Sequence, residues 1–253
     1  MGQGKSFNKF AVILGLIIMY TIGLLSGIYV MEQQKPATLL VSLPSKIYIS
    51  TANIVAVKQQ GETGVVSKGV VEIKDGKGRV LFNTNPFVEP DTQQSIETAA
   101  NVAEAFTKKS LKDKDIIYSV EETDAKLIGG PSAGAAFTVA TIAAIEEKKV
   151  REDIAMTGTI NADGTIGQIG GVIEKAAAAE ENKMKLFLVP KGQSTLTYYE
   201  QQVKEQRQGN FIIRRINYVP KTLNLNDYAK EQGWKLEIRE VSNIKEALQY
   251  ALA

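Results

Sequence analysis

The chain has 253 residues, of which 44% are hydrophobic and 23% charged, an ordinary balance for one folded domain with an appendage. Its 30 basic and 28 acidic residues leave a net charge of +2, and no dense Lys/Arg stripe is interleaved with aromatic residues, which argues against nucleic acid as a partner. The chain contains neither histidine nor cysteine, so Ser-His-Asp triads, Cys-His dyads, disulfides and the usual zinc sites are excluded. We expect no metal and no cofactor.

The first predicted element is a transmembrane anchor at residues 10–30. This segment carries no charge, and a helix of that length spans about 31 Å, close to the thickness of the bilayer's hydrocarbon core. The apolar region of a cleaved signal peptide is normally shorter, so we favour a retained anchor over cleavage near Ser26. The alternative of a buried core helix does not fit the length and position of the segment.

Charged residues on either side of the anchor predict its orientation. Lys5 and Lys9 precede it without an acidic residue, whereas Glu32 and Lys35 roughly cancel after it. The positive-inside rule then makes residues 1–9 a cytoplasmic tail and puts the chain after residue 30 outside the cytoplasm. Residues 31–45 are predicted to be a linker.

Residues 46–253 are predicted to form one α+β domain, because helices and strands are mixed without strict βαβ alternation. Glycine turns separate β-rich runs and predict a meander of short antiparallel strands. After Pro90, apolar residues at three- and four-residue steps predict a helix capped by Asp91 or Thr92. Asn243 and Glu246 have capping-box spacing at the start of a last helix. The predicted strands are 46–50, 54–58, 65–73, 79–83, 115–121, 154–159, 186–189, 211–216 and 235–241. The other predicted helices are those from 134 to about 147, 172–182 and 194–207.

A glycine-rich turn at residues 129–134 contains the candidate nucleophile, Ser132. The sequence places this hydroxyl where the turn becomes a helix, and the unpaired N–H groups of a helix start favour negative charge. Such a position could stabilise an alkoxide and the oxyanion of a tetrahedral intermediate. The small neighbours Gly130, Ala133 and Gly134 leave room for a substrate backbone. The segment alone favours a plainer interpretation, a serine N-cap after a Gly-Pro turn.

The candidate general base is Lys175. Ser132 also fits the G-x-S-x-G elbow, but that site needs a histidine, which this chain lacks. A lysine whose pKa is lowered by burial can replace histidine, and the alanines at 176–179 offer Lys175 a closely packed apolar setting. Viewed alone, it would be a solvated helix lysine. The S-x-x-K pairs at 6–9 and 242–245 have no K-T-G partner and are interpreted as coincidences.

Four motifs follow one another along the domain: GGPSAGAAFTVATIAAI, DIAMTGTI, GTIGQIGGVIEKAAAA and KLFLVP. Their order resembles the proteolytic domain of Lon proteases, and the resemblance runs from about Gly64 to the last helix. It implies the Lon protease-domain fold and a serine endopeptidase that acts on polypeptides. It also implies that Ser132 is the nucleophile, Lys175 the base and Thr157 a hydroxyl that helps to hold the lysine. Lon relatives commonly form rings, so a homo-oligomer is a further expectation.

The chain departs from the family in three places. Gly129 stands where the family often has an acidic residue, three positions before Ser132. No G-x-x-x-x-G-K-[ST] motif occurs in the 253 residues, so we expect hydrolysis without ATP. The stretch from 193 to 234 is longer than its counterpart. It is compatible with a lid, an oligomer contact or a packed excursion, of which the last is favoured.

Two other functions are compatible with the sequence. The 129–134 turn could hold a phosphate at a helix start, although the turn itself contains no lysine and no acidic metal ligand. A non-catalytic, membrane-tethered scaffold could also retain the fold, but the presence of both Ser132 and Lys175 argues against it. The leading prediction is an ATP-independent, membrane-anchored, Lon-like serine endopeptidase for unfolded or membrane-proximal proteins.

Overall fold

The computed structural model describes residues 9–33, 46–57, 63–83, 87–121, 127–208 and 211–253. These residues belong to two units, Met1–Pro44 and Ser45–Ala253. Most of the predicted tail and linker therefore lies outside the described residues.

The first unit contains one helix, α1, at Lys9–Gln33. Its segment Lys9–Met31 is long and apolar enough to cross a membrane, and its large apolar side chains are exposed. The helix includes the predicted anchor. By length and composition alone, a signal sequence would pass the same test.

The second unit mixes strands and helices, as predicted. Its strands are β1 (Tyr48–Val57), β2 (Gly64–Asp75), β3 (Val80–Phe82), β4 (Phe87–Val88), β5 (Lys114–Glu121), β6 (Leu127–Ile128), β7 (Ile154–Met156), β8 (Thr159–Ile160), β9 (Ile166–Gly167), β10 (Leu186–Pro190), β11 (Thr195–Gln208), β12 (Phe211–Asn224) and β13 (Glu237–Val241). Its helices are α2 (Pro90–Thr107), α3 (Gly134–Glu146), α4 (Val172–Glu181), α5 (Leu225–Glu231) and α6 (Ile244–Ala251).

A seven-stranded sheet with the order β13-β10-β7-β1-β2-β5-β3 organises the described part of this unit. Strands β1, β2 and β5 pair antiparallel, whereas β7, β10 and β13 continue the sheet in parallel from β1. The predicted antiparallel meander is wrong for β3, which pairs in parallel with β5. The first two predicted strands form the single strand β1, in which the Asn53 amide donates to the carbonyl oxygens of Glu152 and Ile154 at 2.8 and 2.9 Å.

The sheet is buried on both faces. Successive residues of β10 point to opposite sides, so Leu186 and Leu188 join one core while Phe187 and Val189 join the other. Helices α2, α3 and α6 cover the first face, and α4 and α5 cover the second. The two layers place α3 and α4, which carry the candidate site, on opposite sides of the sheet.

The helix predicted at 194–207 is wrong, because this segment is strand β11, paired antiparallel with β12 over its whole length. Leu196, Tyr199 and Val203 recur at helical spacing, but Tyr, Thr and Val also favour strands, and the partner strand decides the outcome. Most side chains of both strands are exposed, so the favoured interpretation of a packed excursion holds only at the base of the hairpin.

Of the two helix caps predicted from the sequence, the one at α6 is confirmed and the one at α2 is wrong. Asn243 caps α6, accepting a hydrogen bond from the Glu246 N–H at 3.0 Å. Helix α2 instead begins at Pro90 after Glu89, which makes no side-chain cap bond, so the predicted Asp91 or Thr92 cap is wrong. Proline at the first helical position needs no donor partner, which permits this start without a side-chain cap. Helix α5 was not predicted.

Candidate active site

Ser132 lies in a single 3-10 turn, Pro131–Ala133, immediately before α3. Three carbonyl oxygens of this segment are held by hydrogen bonds from other elements. Thr92 Oγ1 donates to the Gly130 oxygen at 3.2 Å and Ser95 Oγ to the Pro131 oxygen at 3.1 Å. The Gly158 N–H donates to the Ser132 oxygen at 2.8 Å. The turn is therefore fixed from two sides, by α2 and by the loop after β7.

Gly130 precedes the turn with φ of 86° and ψ of 144°. A residue with a Cβ rarely adopts this conformation, so glycine is required where the chain enters the turn. Gly130 also lines the cleft beside Ser132, and its supporting role stays a prediction.

Ala133 and Gly134 were predicted to leave room for a substrate backbone, but the structure uses both as packing residues. Ala133 packs against the main core, and Gly134 is fully buried. A Cβ on Gly134 would overlap Ser95 Oγ and lie 2.7 Å from the Ile160 side chain. The small residue at 134 thus permits close packing of α3, and neither Ala133 nor Gly134 lines the cleft.

Lys175 approaches the serine from α4. Its side chain is 3% exposed, and its Nζ lies 3.0 Å from Ser132 Oγ and 3.2 Å from Thr157 Oγ1. Burial disfavours the charged ammonium and lowers the pKa of Lys175 from 10.5 to about 8. A large fraction of the amine is therefore neutral at mildly alkaline pH and able to accept a proton.

Thr157 contacts both the serine and the lysine. It is completely buried, accepts a hydrogen bond from Lys175 Nζ and donates from Oγ1 to the Ser132 carbonyl oxygen at 3.3 Å. Its backbone N–H donates to the Leu188 oxygen of β10 at 3.1 Å. One hydroxyl anchored on the sheet thus touches both candidate catalytic residues.

The serine and the lysine meet at a cleft of about 480 Å³, and Thr157 lies beneath them, fully buried. Ser132 and Lys175 line it, together with Gly129, Gly130 and the loop at residues 168–171. Glycines along both walls allow an extended backbone to come close to the serine hydroxyl.

The space beside Gly129 holds a carboxylate from elsewhere in the chain. A Cβ on Gly129 would overlap the carboxylate of Glu89, the residue before α2. The Glu89 N–H donates to the Ile128 carbonyl oxygen at 2.9 Å, which ties the two segments together. Glu89 does not line the cleft, and no pattern in the sequence indicated this contact because 40 positions separate Glu89 from Gly129.

Phosphate binding and metal binding are less well supported by the geometry. The fold brings Lys175 to the glycine-rich turn and so supplies the lysine that the turn itself lacks, but this amine already contacts Ser132 and Thr157, and burial disfavours its charged form. Among the residues that the structure describes, no group of three or more Asp or Glu side chains could hold a metal ion.

The family model of the Lon protease (S16) C-terminal proteolytic domain matches residues 92–225, more than half of the chain. The chain belongs to this family. Membership implies a serine peptidase, and the match contains Ser132, Thr157 and Lys175. The matched range also contains Ser95, whose hydroxyl donates to the Pro131 carbonyl oxygen. No pattern in the sequence indicated this role of Ser95.

Curated relatives of the chain are Lon proteases. It is 34% identical to the Lon protease of Mesomycoplasma hyopneumoniae over 119 residues, which are 44% of this chain and 14% of that protein. It is 24% identical to the archaeal Lon protease of Halobacterium salinarum, with 58% of this chain and 21% of that protein covered. It is 29% identical to the Lon protease of Buchnera aphidicola subsp. Schizaphis graminum, with 70% of this chain and 20% of that protein covered. The chain therefore spans about a seventh to a fifth of the length of these Lon proteases.

Proposed function

We propose that the chain is a serine endopeptidase in which Ser132 is the nucleophile and Lys175 the general base. The observation that supports this most directly is the 3.0 Å contact between Lys175 Nζ and Ser132 Oγ, made by a lysine that is buried and has a lowered pKa. A hydroxyl needs a base within hydrogen-bond reach whose pKa is near the working pH, and Lys175 meets both conditions.

In the proposed reaction, neutral Lys175 takes the proton as Ser132 Oγ attacks a peptide carbonyl. The resulting ammonium donates to Thr157 Oγ1, which keeps it aimed at the serine. The N–H groups of Ser132 and Ala133, at the start of the 3-10 turn, would stabilise the oxyanion. Lys175 returns the proton to the leaving amine, and water then hydrolyses the acyl-enzyme with the same lysine as base.

Hydrolysis is proposed to need no ATP. Acyl transfer from Ser132 consumes only water, and the 253 residues contain no Walker-type phosphate loop. The proposed substrates are unfolded or membrane-proximal polypeptides, because an extended backbone can enter a glycine-walled cleft without unfolding by a motor. A homo-oligomer is also proposed, by analogy with the family.

The dyad is tested with the full chain in detergent and an unfolded, fluorescently labelled casein, with and without ATP and Mg²⁺. Ser132→Ala and Lys175→Ala are each expected to abolish cleavage. The S-x-x-K pair at the start of α6 provides matched controls, since Ser242→Ala and Lys245→Ala change the same residue types away from the cleft. Cleavage that persists in Ser132→Ala, or that requires ATP, would contradict the proposal. ATP binding that survives Lys175→Ala would favour the phosphate-binding function instead.

The chain is further proposed to be anchored by residues 10–30, with the catalytic domain outside the cytoplasm. The charge bias of Lys5 and Lys9 supports this orientation. Because the chain has no cysteine, a single introduced cysteine is a unique label. A membrane-impermeant maleimide applied to intact cells is expected to label Ser110→Cys and not Ser6→Cys. The reverse pattern would invert the topology, and loss of the tail from the mature chain would indicate cleavage.

A further inference from the structure

We propose that an apolar pocket at the base of the β11–β12 hairpin binds a large apolar side chain of the polypeptide substrate, with Tyr198 forming one wall. The proposal rests on the peptidase function proposed above. The pocket has a volume of about 540 Å³, and α4 and the hairpin supply most of its apolar lining, chiefly Ile173, Leu196 and Leu223. Pockets of this size with such walls favour apolar groups.

The pocket continues the catalytic cleft. The two cavities share Ile169, Gly171 and Glu174 as lining residues, so they are neighbours on one surface. An extended peptide advances about 3.3 Å per residue, and a chain whose carbonyl lies at Ser132 would reach the pocket within a few residues. Ser132 and Lys175 line the cleft and not the pocket, so the bound side chain belongs to a residue apart from the scissile bond.

Gln193 fixes the wall between the two cavities. Its buried amide accepts a hydrogen bond from the Ile169 N–H at 2.9 Å and donates to the Ile169 oxygen at 2.7 Å. Because this amide is occupied, it adds little polar character to the pocket. Glu174 lies at the boundary with the cleft, where its carboxylate would repel an acidic substrate side chain.

The base of the hairpin is anchored, which keeps the pocket in place. Ser194 Oγ donates to a Glu240 carboxylate oxygen at 2.6 Å, and the Leu225 N–H donates to the Ser194 carbonyl oxygen at 2.8 Å. These contacts hold both ends of the hairpin against α5 and β13. The exposed strands extend from this fixed base.

Strand alternation separates two adjacent tyrosines. Leu196 pairs with Leu223 across the hairpin, and Tyr198, two residues further on, shares their face. Tyr199 points to the opposite face and does not line the pocket. Tyr198 is 50% exposed and Tyr199 67% exposed, so neither ring is needed for the core. The pair therefore offers a test residue and a matched control of the same type.

The experiment uses the full chain in lipid nanodiscs and a library of peptides from digested, denatured proteins. Mass spectrometry identifies the cleavage sites of the unaltered chain, Tyr198→Ala and Tyr199→Ala. For one cleaved peptide, kcat and KM are then measured with its apolar residue present or replaced by alanine. Binding of the same peptide to the chain carrying Ser132→Ala, with and without Tyr198→Ala, is measured by fluorescence anisotropy.

We expect cleavage sites enriched in a large apolar residue at one fixed distance from the scissile bond. Tyr198→Ala should raise KM roughly tenfold at nearly unchanged kcat, because it removes binding made equally in the ground and transition states. Tyr199→Ala should behave as the unaltered chain. For the peptide whose apolar residue is replaced by alanine, KM should be the same for the unaltered chain and both variants. Equal effects of the two tyrosine substitutions, or no apolar enrichment, would overturn the pocket assignment. Cleavage unaffected by Ser132→Ala would overturn the proposed peptidase site instead, and the anisotropy comparison would still test the pocket.

Discussion

Replacing Lys175 with methionine is expected to abolish peptidase activity and to stabilise the fold. Methionine has a similar volume and no charge, so it fills the space against Ser132 and Thr157 without the cost of burying an ammonium. The folded-state pKa of Lys175 is about 8, against an ordinary value of 10.5. Since a difference of one in pKa corresponds to about 1.4 kcal/mol, burial of the charged lysine costs about 3 kcal/mol below pH 8.

Part of this gain is lost through a hydrogen bond. Thr157 Oγ1 keeps its bond to the Ser132 carbonyl oxygen but loses the donor Lys175 Nζ, at a cost of about 1 kcal/mol. Ser132 Oγ loses the same donor, but Ser132 lines the open cleft, where water can replace it at little cost. The expected net stabilisation at pH 7 is about 2 kcal/mol. For a protein of this size it corresponds to an increase in Tm of roughly 4–8 °C.

The pH dependence has a definite sign. Between pH 8 and 10.5 the unfolded chain holds more protons on Lys175 than the folded one, so the stability of the unaltered chain rises with pH. The Lys175→Met advantage is therefore largest below pH 8 and is lost before pH 10.5, above which only the cost of the lost hydrogen bond remains. The difference in Tm between the variant and the unaltered chain is measured by thermal unfolding in detergent, followed by circular dichroism at pH 7, 9 and 10.5. A variant that is no more stable at pH 7, or whose advantage does not shrink with pH, would refute the reasoning.

Three further predictions follow from the same geometry. Peptidase activity should rise about tenfold between pH 7 and 9 as the neutral fraction of Lys175 grows, and a flat pH–rate profile would contradict this. Thr157→Val should lower kcat at least about tenfold because it removes the hydroxyl that accepts a hydrogen bond from Lys175 Nζ, whereas Thr157→Ser should retain most of the activity. Equal kcat for the two variants would remove Thr157 from the mechanism. Gly64→Ala should lower the free energy of unfolding by about 1–3 kcal/mol and reduce activity, because the new Cβ would overlap the Glu174 carbonyl oxygen beside Lys175. A Tm for Gly64→Ala equal to that of the unaltered chain would contradict this, because it would mean that α4 shifts away from the new Cβ without losing stability.

The candidate site could be predicted from the sequence to an unusual extent, since the absence of histidine left a lysine as the plausible base and the motif order indicated which one. Neither Ser132 nor Lys175 was convincing alone, because a serine at a helix start and a lysine on a helix are ordinary structural residues. The sequence could not show that Glu89 fills the space beside Gly129. Nor could it show that Thr92 and Ser95 hold the turn, because these contacts join positions far apart in the chain.

By itself, the sequence determined the apolar N-terminal helix, the mixed class of the domain and the order of the family's motifs, all of which depend on local composition and spacing. The tertiary structure decided three other matters. It made 195–208 a strand rather than a helix, because the pairing with β12 outweighs a helical spacing of apolar residues. It turned Ala133 and Gly134 into packing residues, and it buried Lys175 at 3.0 Å from Ser132, where desolvation lowers the pKa of the amine. Burial and distance depend on which elements pack together, and no local pattern specifies them.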